Sequence, residues 1–145
     1  MGEGGRKVIG IIVAAHQDLG PALLRAAEGI VGVMERAEAL SLNYAEDPDV
    51  ARGRFAEALK RVGEDGEVLI LTDMFGGTPT NMSLPFLEPG RIEVVTGINL
   101  PMLLKAQSAR REMGLKELAS FLREYGAKNI VVAGELLHAQ SRGAG

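Results

Sequence analysis

The chain has 145 residues, 46% hydrophobic and 24% charged, a balance that fits one globular domain large enough to bury its own core. It contains no cysteine, which excludes disulfides and thiolate metal sites and fits a reducing cytoplasm. The formal net charge of -3 leaves no broad basic field to hold nucleic acid or an anionic membrane, although a local basic patch could still meet an acidic protein.

The first apolar run, Val8-Ile9-Gly10-Ile11-Ile12-Val13-Ala14-Ala15, falls far short of the roughly 20 residues of a membrane span. It leads into His16-Gln17-Asp18 and not into a small-residue cleavage site, so it reads as a buried parallel strand over Val8 to Ala14. Asp18 is placed to cap a helix carrying Leu19, Leu23, Leu24, Ala27 and Ile30, with Pro21 in its first turn and Gly32 near its end. Ala37 to Leu42 reads as a second strand. Asp47-Pro48-Asp49 opens a second helix with an apolar stripe of Val50, Phe55, Leu59 and Val62, closed by Gly63 and Asp65-Gly66.

Glu67 to Thr72 is a third buried strand ending at Asp73, and Thr78 can cap a third helix with Pro79 at its first position. Pro85 predicts a kink or early stop in that helix. Ile92 to Thr96 reads as a fourth strand, Met102 to Arg110 as a fourth helix, and Leu115 to Tyr125 as a fifth, stopped by Gly126. Asn129 to Ala133 reads as a last strand, and Ser141 to Gly145 as a frayed tail. No repeat, linker or low-complexity block divides the chain, so one domain spans 1–145 with loose ends at 1–7 and 138–145.

Strands alternating with helices predict an α/β fold: a doubly wound, mainly parallel sheet of order 2-1-3-4 with helices on both faces. Such sheets carry their sites outside the carboxyl ends of the strands, where the strand order reverses. His16 follows the first strand and Asp73 the third, so this topology makes them neighbours across the crevice. A carboxylate that accepts from one imidazole nitrogen fixes the tautomer and leaves the other nitrogen as a nucleophile. Gly76 and Gly77 let the backbone approach an anion closely, and Thr78 adds a hydroxyl and a helix start with free N–H groups. Together these parts suit phosphate binding and phosphoryl transfer.

Each part alone has a plainer reading. A lone histidine or aspartate at a strand end is commonly a surface or cap residue, and a Gly-Gly loop before a helix is ordinary. His138 reads as solvated, Lys60-Arg61 and Arg110-Arg111 as solvated helix faces, and Met102, Leu103 and Leu104 as core or dimer contact. No histidine–carboxylate cluster has zinc spacing, and no dinucleotide-binding, P-loop or serine-hydrolase signature occurs. Neither a metal nor a cofactor is expected.

Three blocks carry a resemblance: Val8 to His16, Leu71-Thr72-Asp73-Met74-Phe75-Gly76-Gly77-Thr78-Pro79-Thr80-Asn81, and Val95-Thr96-Gly97-Ile98-Asn99-Leu100-Pro101-Met102-Leu103. In order and spacing they resemble the mannose-family enzyme IIA component of the bacterial phosphotransferase system, over roughly Val8 to Ala133. The resemblance implies a cytoplasmic phosphoryl carrier that takes phosphate from phospho-HPr and passes it to a histidine of a IIB protein for sugar uptake. On it, His16 is the phosphorylated residue and Asp73 orients its ring. Gly76, Gly77 and Thr78 line the phosphoryl group, with Thr78 where serine is usual, and the Asn99-Leu100-Pro101 loop flanks it. The resemblance also implies a homodimer in which a last strand, here around Ile130 to Ala133, is exchanged and runs antiparallel.

Two departures stand out. Ala15-His16-Gln17 replaces the usual Ser-His-Gly, which bears on phosphoryl affinity and partner choice, and no IIB domain follows, which points to a separate acceptor. A regulatory module that reports phosphorylation of His16 to a partner without sugar transport remains an alternative. A carrier serving dihydroxyacetone kinase is a further one, opposed by the full Phe-Gly-Gly-Thr-Pro-Thr-Asn block.

Overall fold

The computed structural model describes residues 7–43 and 45–144, so the expectations for residues 1–6 and 145 lie outside the described residues. The elements in chain order are β1 (Gly10–His16), α1 (Leu19–Val31), β2 (Ala37–Leu42), α2 (Pro48–Gly63), β3 (Val68–Thr72), α3 (Thr78–Ser83), a 3-10 turn (Leu84–Phe86), β4 (Ile92–Thr96), α4 (Leu100–Ala109), α5 (Leu115–Lys128) and α6 (Ala133–Ala144). The sheet is parallel, as the alternation of elements predicts, and its order is β2-β1-β3-β4, the expected reversal between the first and third strands.

Alternate residues of the central strands feed two cores, as the two-residue strand period requires. Ile11, Val13, Leu69, Leu71 and Val95 pack with Ala27 of α1, Met102, Leu103 and Ala106 of α4, and Leu118 and Leu122 of α5. Ile12, Ala14, Val68 and Ile70 face the other way, onto Phe55, Ala58 and Val62 of α2. Phe55 is fully buried and stacks on Phe86 with ring centroids 5.4 Å apart. Burying one such side chain stabilises the fold by about 1.5–3 kcal/mol. Central strands covered on both faces explain why β1 and β3 read as unbroken apolar runs.

Several expectations are corrected. β1 starts and ends two residues later than predicted, so His16 is its last residue. Asp18 occupies the cap position of α1 without a side-chain cap bond. Its near-helical backbone, φ -89° and ψ 3°, differs from the extended conformation that aims a cap side chain at the first turn. Gly77, in extended conformation, precedes α3, which makes Thr78 its first residue and Pro79 its second. Pro85 lies in the 3-10 turn that ends this segment, as expected.

Gly126 does not stop α5 but sits buried inside it. A Cβ there would lie 2.7 Å from Met102 Cε, so this glycine permits close approach of α4 and α5. Arg110 is not solvated: it is 2% exposed, and burial, with the neighbouring Arg111 charge, pushes its guanidinium down to about 10. Residues 130–132 form no strand in this single chain. Ile130, Val131 and Val132 are exposed with no ladder partner among the described residues, and α6 follows where a tail was expected. His138 is exposed on α6, as read.

Candidate phosphoryl-transfer site

The site forms where β1 and β3 end side by side. Their register pairs Ala14 with Thr72, which brings the next residues of each strand together. His16 and Asp73 therefore meet although they are far apart in sequence. Asp73 Oδ2 lies 2.7 Å from His16 Nδ1 and also accepts the His16 backbone N–H at 3.0 Å. Burial pushes the Asp73 carboxyl up, but the backbone N–H and the ring of His16 outweigh it and hold the group below the usual carboxylate range. An ionised carboxylate can only accept, so Nδ1 carries the proton and Nε2 keeps its lone pair. The histidine side chain is 33% exposed and that of Asp73 only 10%. The pair is thus an anchored base below a partly open ring.

Gly77 closes one side of the ring. A Cβ on Gly77 would lie 2.6 Å from His16 Cε1 and 3.2 Å from Nε2, so the bare backbone makes an approach no side chain permits. Gly76 turns the loop with φ +88°. α3 then begins at Thr78, and the N–H groups of a helix's first turn have no intrahelical acceptor. Asn99 caps α4 through the Met102 N–H at 3.0 Å and also donates to the Gly126 carbonyl at 2.9 Å, which ties the Asn99-Leu100-Pro101 loop to α5.

Gln17, next to His16, has φ +52°, the left-handed region that favours glycine. The glycine usual in the resembling family would sit there without strain, whereas this chain holds a glutamine by bonding its N–H to the Leu42 carbonyl at 3.0 Å. Ala15 is fully buried.

Sequence reasoning passed over Thr72 and Thr80, whose hydroxyls lie 2.7 Å apart, both fully buried beneath the loop. Polar residues eight apart, one closing an apolar strand and one in the following helix, were the available signal. Among the described residues no group of histidines, cysteines and carboxylates could hold a metal ion, and no helix is long and apolar enough to cross a membrane.

Comparison with known proteins gives the family. The model of the EIIA-man family, described as the PTS system fructose IIA component, matches residues 10–122. The chain belongs to this family. This EIIA-man chain is 33% identical over 131 residues to the fructose-specific EIIA component of Bacillus subtilis, covering 90% of each protein. It is 30% identical to the sorbose-specific EIIA component of Lacticaseibacillus casei, covering 77% of this chain and 81% of that one. The crystal structure of a phosphotransferase-system EIIA component from Streptococcus agalactiae superposes with a TM-score of 0.76 at 29% identity, covering 88% of this chain and 98% of that one. EIIA components are phosphotransferases of sugar uptake, and the doubly wound sheet is shared with these relatives.

Proposed function

We propose that His16 carries the phosphoryl group, taking it from phospho-HPr and passing it to a histidine of a IIB partner that serves sugar uptake. The observation that carries this reading is the 2.7 Å contact from His16 Nδ1 to Asp73 Oδ2, which leaves Nε2 free at a partly exposed ring. The Nε2 lone pair attacks the phosphorus. The donor's N–P bond breaks and its electron pair returns to the donor imidazole. Nδ1 keeps its proton, and Asp73 stabilises the positive charge that grows on the ring. Gly76, Gly77 and Thr78 offer N–H groups and a hydroxyl to the phosphoryl oxygens. The second transfer reverses these steps onto the IIB histidine. In this reading the chain itself never meets sugar, although its relatives are a fructose-specific and a sorbose-specific EIIA component.

Incubation with phosphoenolpyruvate, enzyme I and HPr tests the assignment. Acid-labile, base-stable phosphate is expected on the wild type and none on His16→Ala; label that persists on this variant would sink it.

We also infer a homodimer. β4 is an edge strand, and beside it runs an open groove of about 340 Å³ lined by Phe75, Leu87, Val94, Val95 and Ala119. Ile130, Val131 and Val132 are 76%, 56% and 63% exposed, a β-branched run suited to add to such an edge in a second copy. Sedimentation at micromolar concentration is expected to give twice the chain mass; a monomer there would remove the inference.

A further inference from the structure

We propose that Thr80 is a positioning residue for the phosphorylation site and acts through Asp73, because its hydroxyl fastens the residues on both sides of that aspartate. The inference rests on the phosphohistidine reading above. Thr80 Oγ1 donates to the Met74 carbonyl at 2.6 Å, the residue after Asp73. The same oxygen lies 2.7 Å from Thr72 Oγ1, the residue before it. A hydroxyl has one proton, so with Thr80 committed to Met74 it is Thr72 that donates to Thr80. The chain of bonds therefore has one direction, Thr72 to Thr80 to Met74, and both threonines are fully buried.

Asp73 needs such support from its backbone. Its Oδ2 bonds to His16, while Oδ1 is buried with no hydrogen-bond partner among the described residues. Both bonds to Oδ2 come from His16, so the aim of the carboxylate depends on where the main chain holds residue 73 relative to the end of β1. The Thr72 carbonyl adds to the hold by accepting the Gly97 and Ile98 N–H groups at 2.9 and 3.0 Å. Packing alone does not account for a hydroxyl at position 80. Valine has nearly the same shape, but it would leave the Thr72 hydroxyl without its acceptor and the Met74 carbonyl without its donor. Ser83 makes the contrast: it is buried too, yet its hydroxyl bonds to Pro79 within its own helix and does not reach β3.

The test compares Thr80→Val and Thr80→Ser in the wild type and in Asp73→Ala, with two readouts. One is the rate of phosphoryl transfer from phospho-HPr; the other is the His16 ring tautomer by nitrogen NMR, which needs no donor protein. Thr80→Val is expected to slow transfer about tenfold, the usual scale for removing a group that orients a reacting one, and to mix the tautomers. Thr80→Ser is expected to restore both. In Asp73→Ala, Thr80→Val should cost nothing further. An unchanged tautomer in Thr80→Val, or the same fold loss with and without Asp73, would overturn the proposal. If Thr80→Val does not fold, Thr72→Val takes its place: a smaller shift toward mixed tautomers supports the proposal, and an unchanged tautomer overturns it. A wild type that phospho-HPr fails to label would end the relay reading instead, and the NMR arm would still decide the role of Thr80.

Discussion

At the amino-terminal end of the sheet, Arg110 is buried among the chain segments that enter β1 and β2, and its hydrogen bonds go to neutral oxygens. Nη1 donates to the carbonyls of Ile9 and Arg36 at 3.0 and 3.4 Å, and Nη2 to the Glu35 carbonyl and Gln107 Oε1 at 2.6 and 2.8 Å. At the carboxyl-terminal end, Asp73 is nearly as buried, but its partner is a histidine whose second nitrogen is left open to an incoming group. The first arrangement turns both terminal guanidinium nitrogens inward to join elements, with Nε buried and unpaired among the described residues. The second leaves polar capacity unused, and stands beside the left-handed Gln17 and the exposed Met74 and Phe75. One end of the sheet closes the fold, and the other keeps unused polar capacity at the surface; left-handed non-glycine residues occur at both, Gln17 at the site end and Arg36, Glu64 and Asp65 in the loops that enter β2 and β3.

That contrast can be broken at either end. Arg110→Met should have the larger effect on stability, because it removes the donor to the buried Ile9 carbonyl and the link to the Glu35 carbonyl, at a cost of roughly 1–3 kcal/mol, while the Arg36 carbonyl keeps the Ile11 N–H. Urea unfolding measures it, and phosphoryl acceptance by the protein that remains folded should be unaltered. A loss below about 0.5 kcal/mol, the range of ordinary surface changes, would mean that Arg110 does not join these elements as described. The smallest effect is expected from Gln17→Gly, which relieves a left-handed non-glycine residue. Stability should rise by about 0.5–1 kcal/mol, the strain removed less the added freedom of the unfolded glycine. A fall in stability would show that the Gln17 side chain contributes more than its backbone costs.

Much of the fold is legible in the sequence because it rests on local pattern. The bounds of β2 and β4 are those predicted, and β3 starts one residue later. The amphipathic helices follow their apolar stripes at Ala27, Phe55 and Val62, whereas Leu19, Ile30 and Val50 near their ends are exposed. The pairing of His16 with Asp73 is also legible, once alternating strands and helices imply a sheet whose order reverses between β1 and β3. What failed to read correctly depends on distant neighbours. Gly126 looks like a helix stop, yet α5 runs through it to Lys128, and Met102 and the Asn99 side chain pack where a side chain would stand. Arg110 looks like half of a solvated Arg-Arg pair, although Arg111 alone faces outward to Glu35. Ile130 to Val132 has the composition of a strand, but a strand exists only where it pairs with an edge, and within this chain the segment pairs with neither β2 nor β4.

The sequence by itself determined the order of elements, the two-faced sheet and the residue types that meet at its carboxyl end, because these follow from periodicity, turn chemistry and the topology of parallel strands. Only the tertiary structure decided which atoms meet. It sets Asp73 Oδ2 against Nδ1, so the free nitrogen is Nε2. It brings Gly77 against the ring, and it seats Thr80 beneath the loop with a bond to either neighbour of Asp73. Those facts depend on distances of a few ångströms between residues far apart in the chain, and no local pattern encodes a distance.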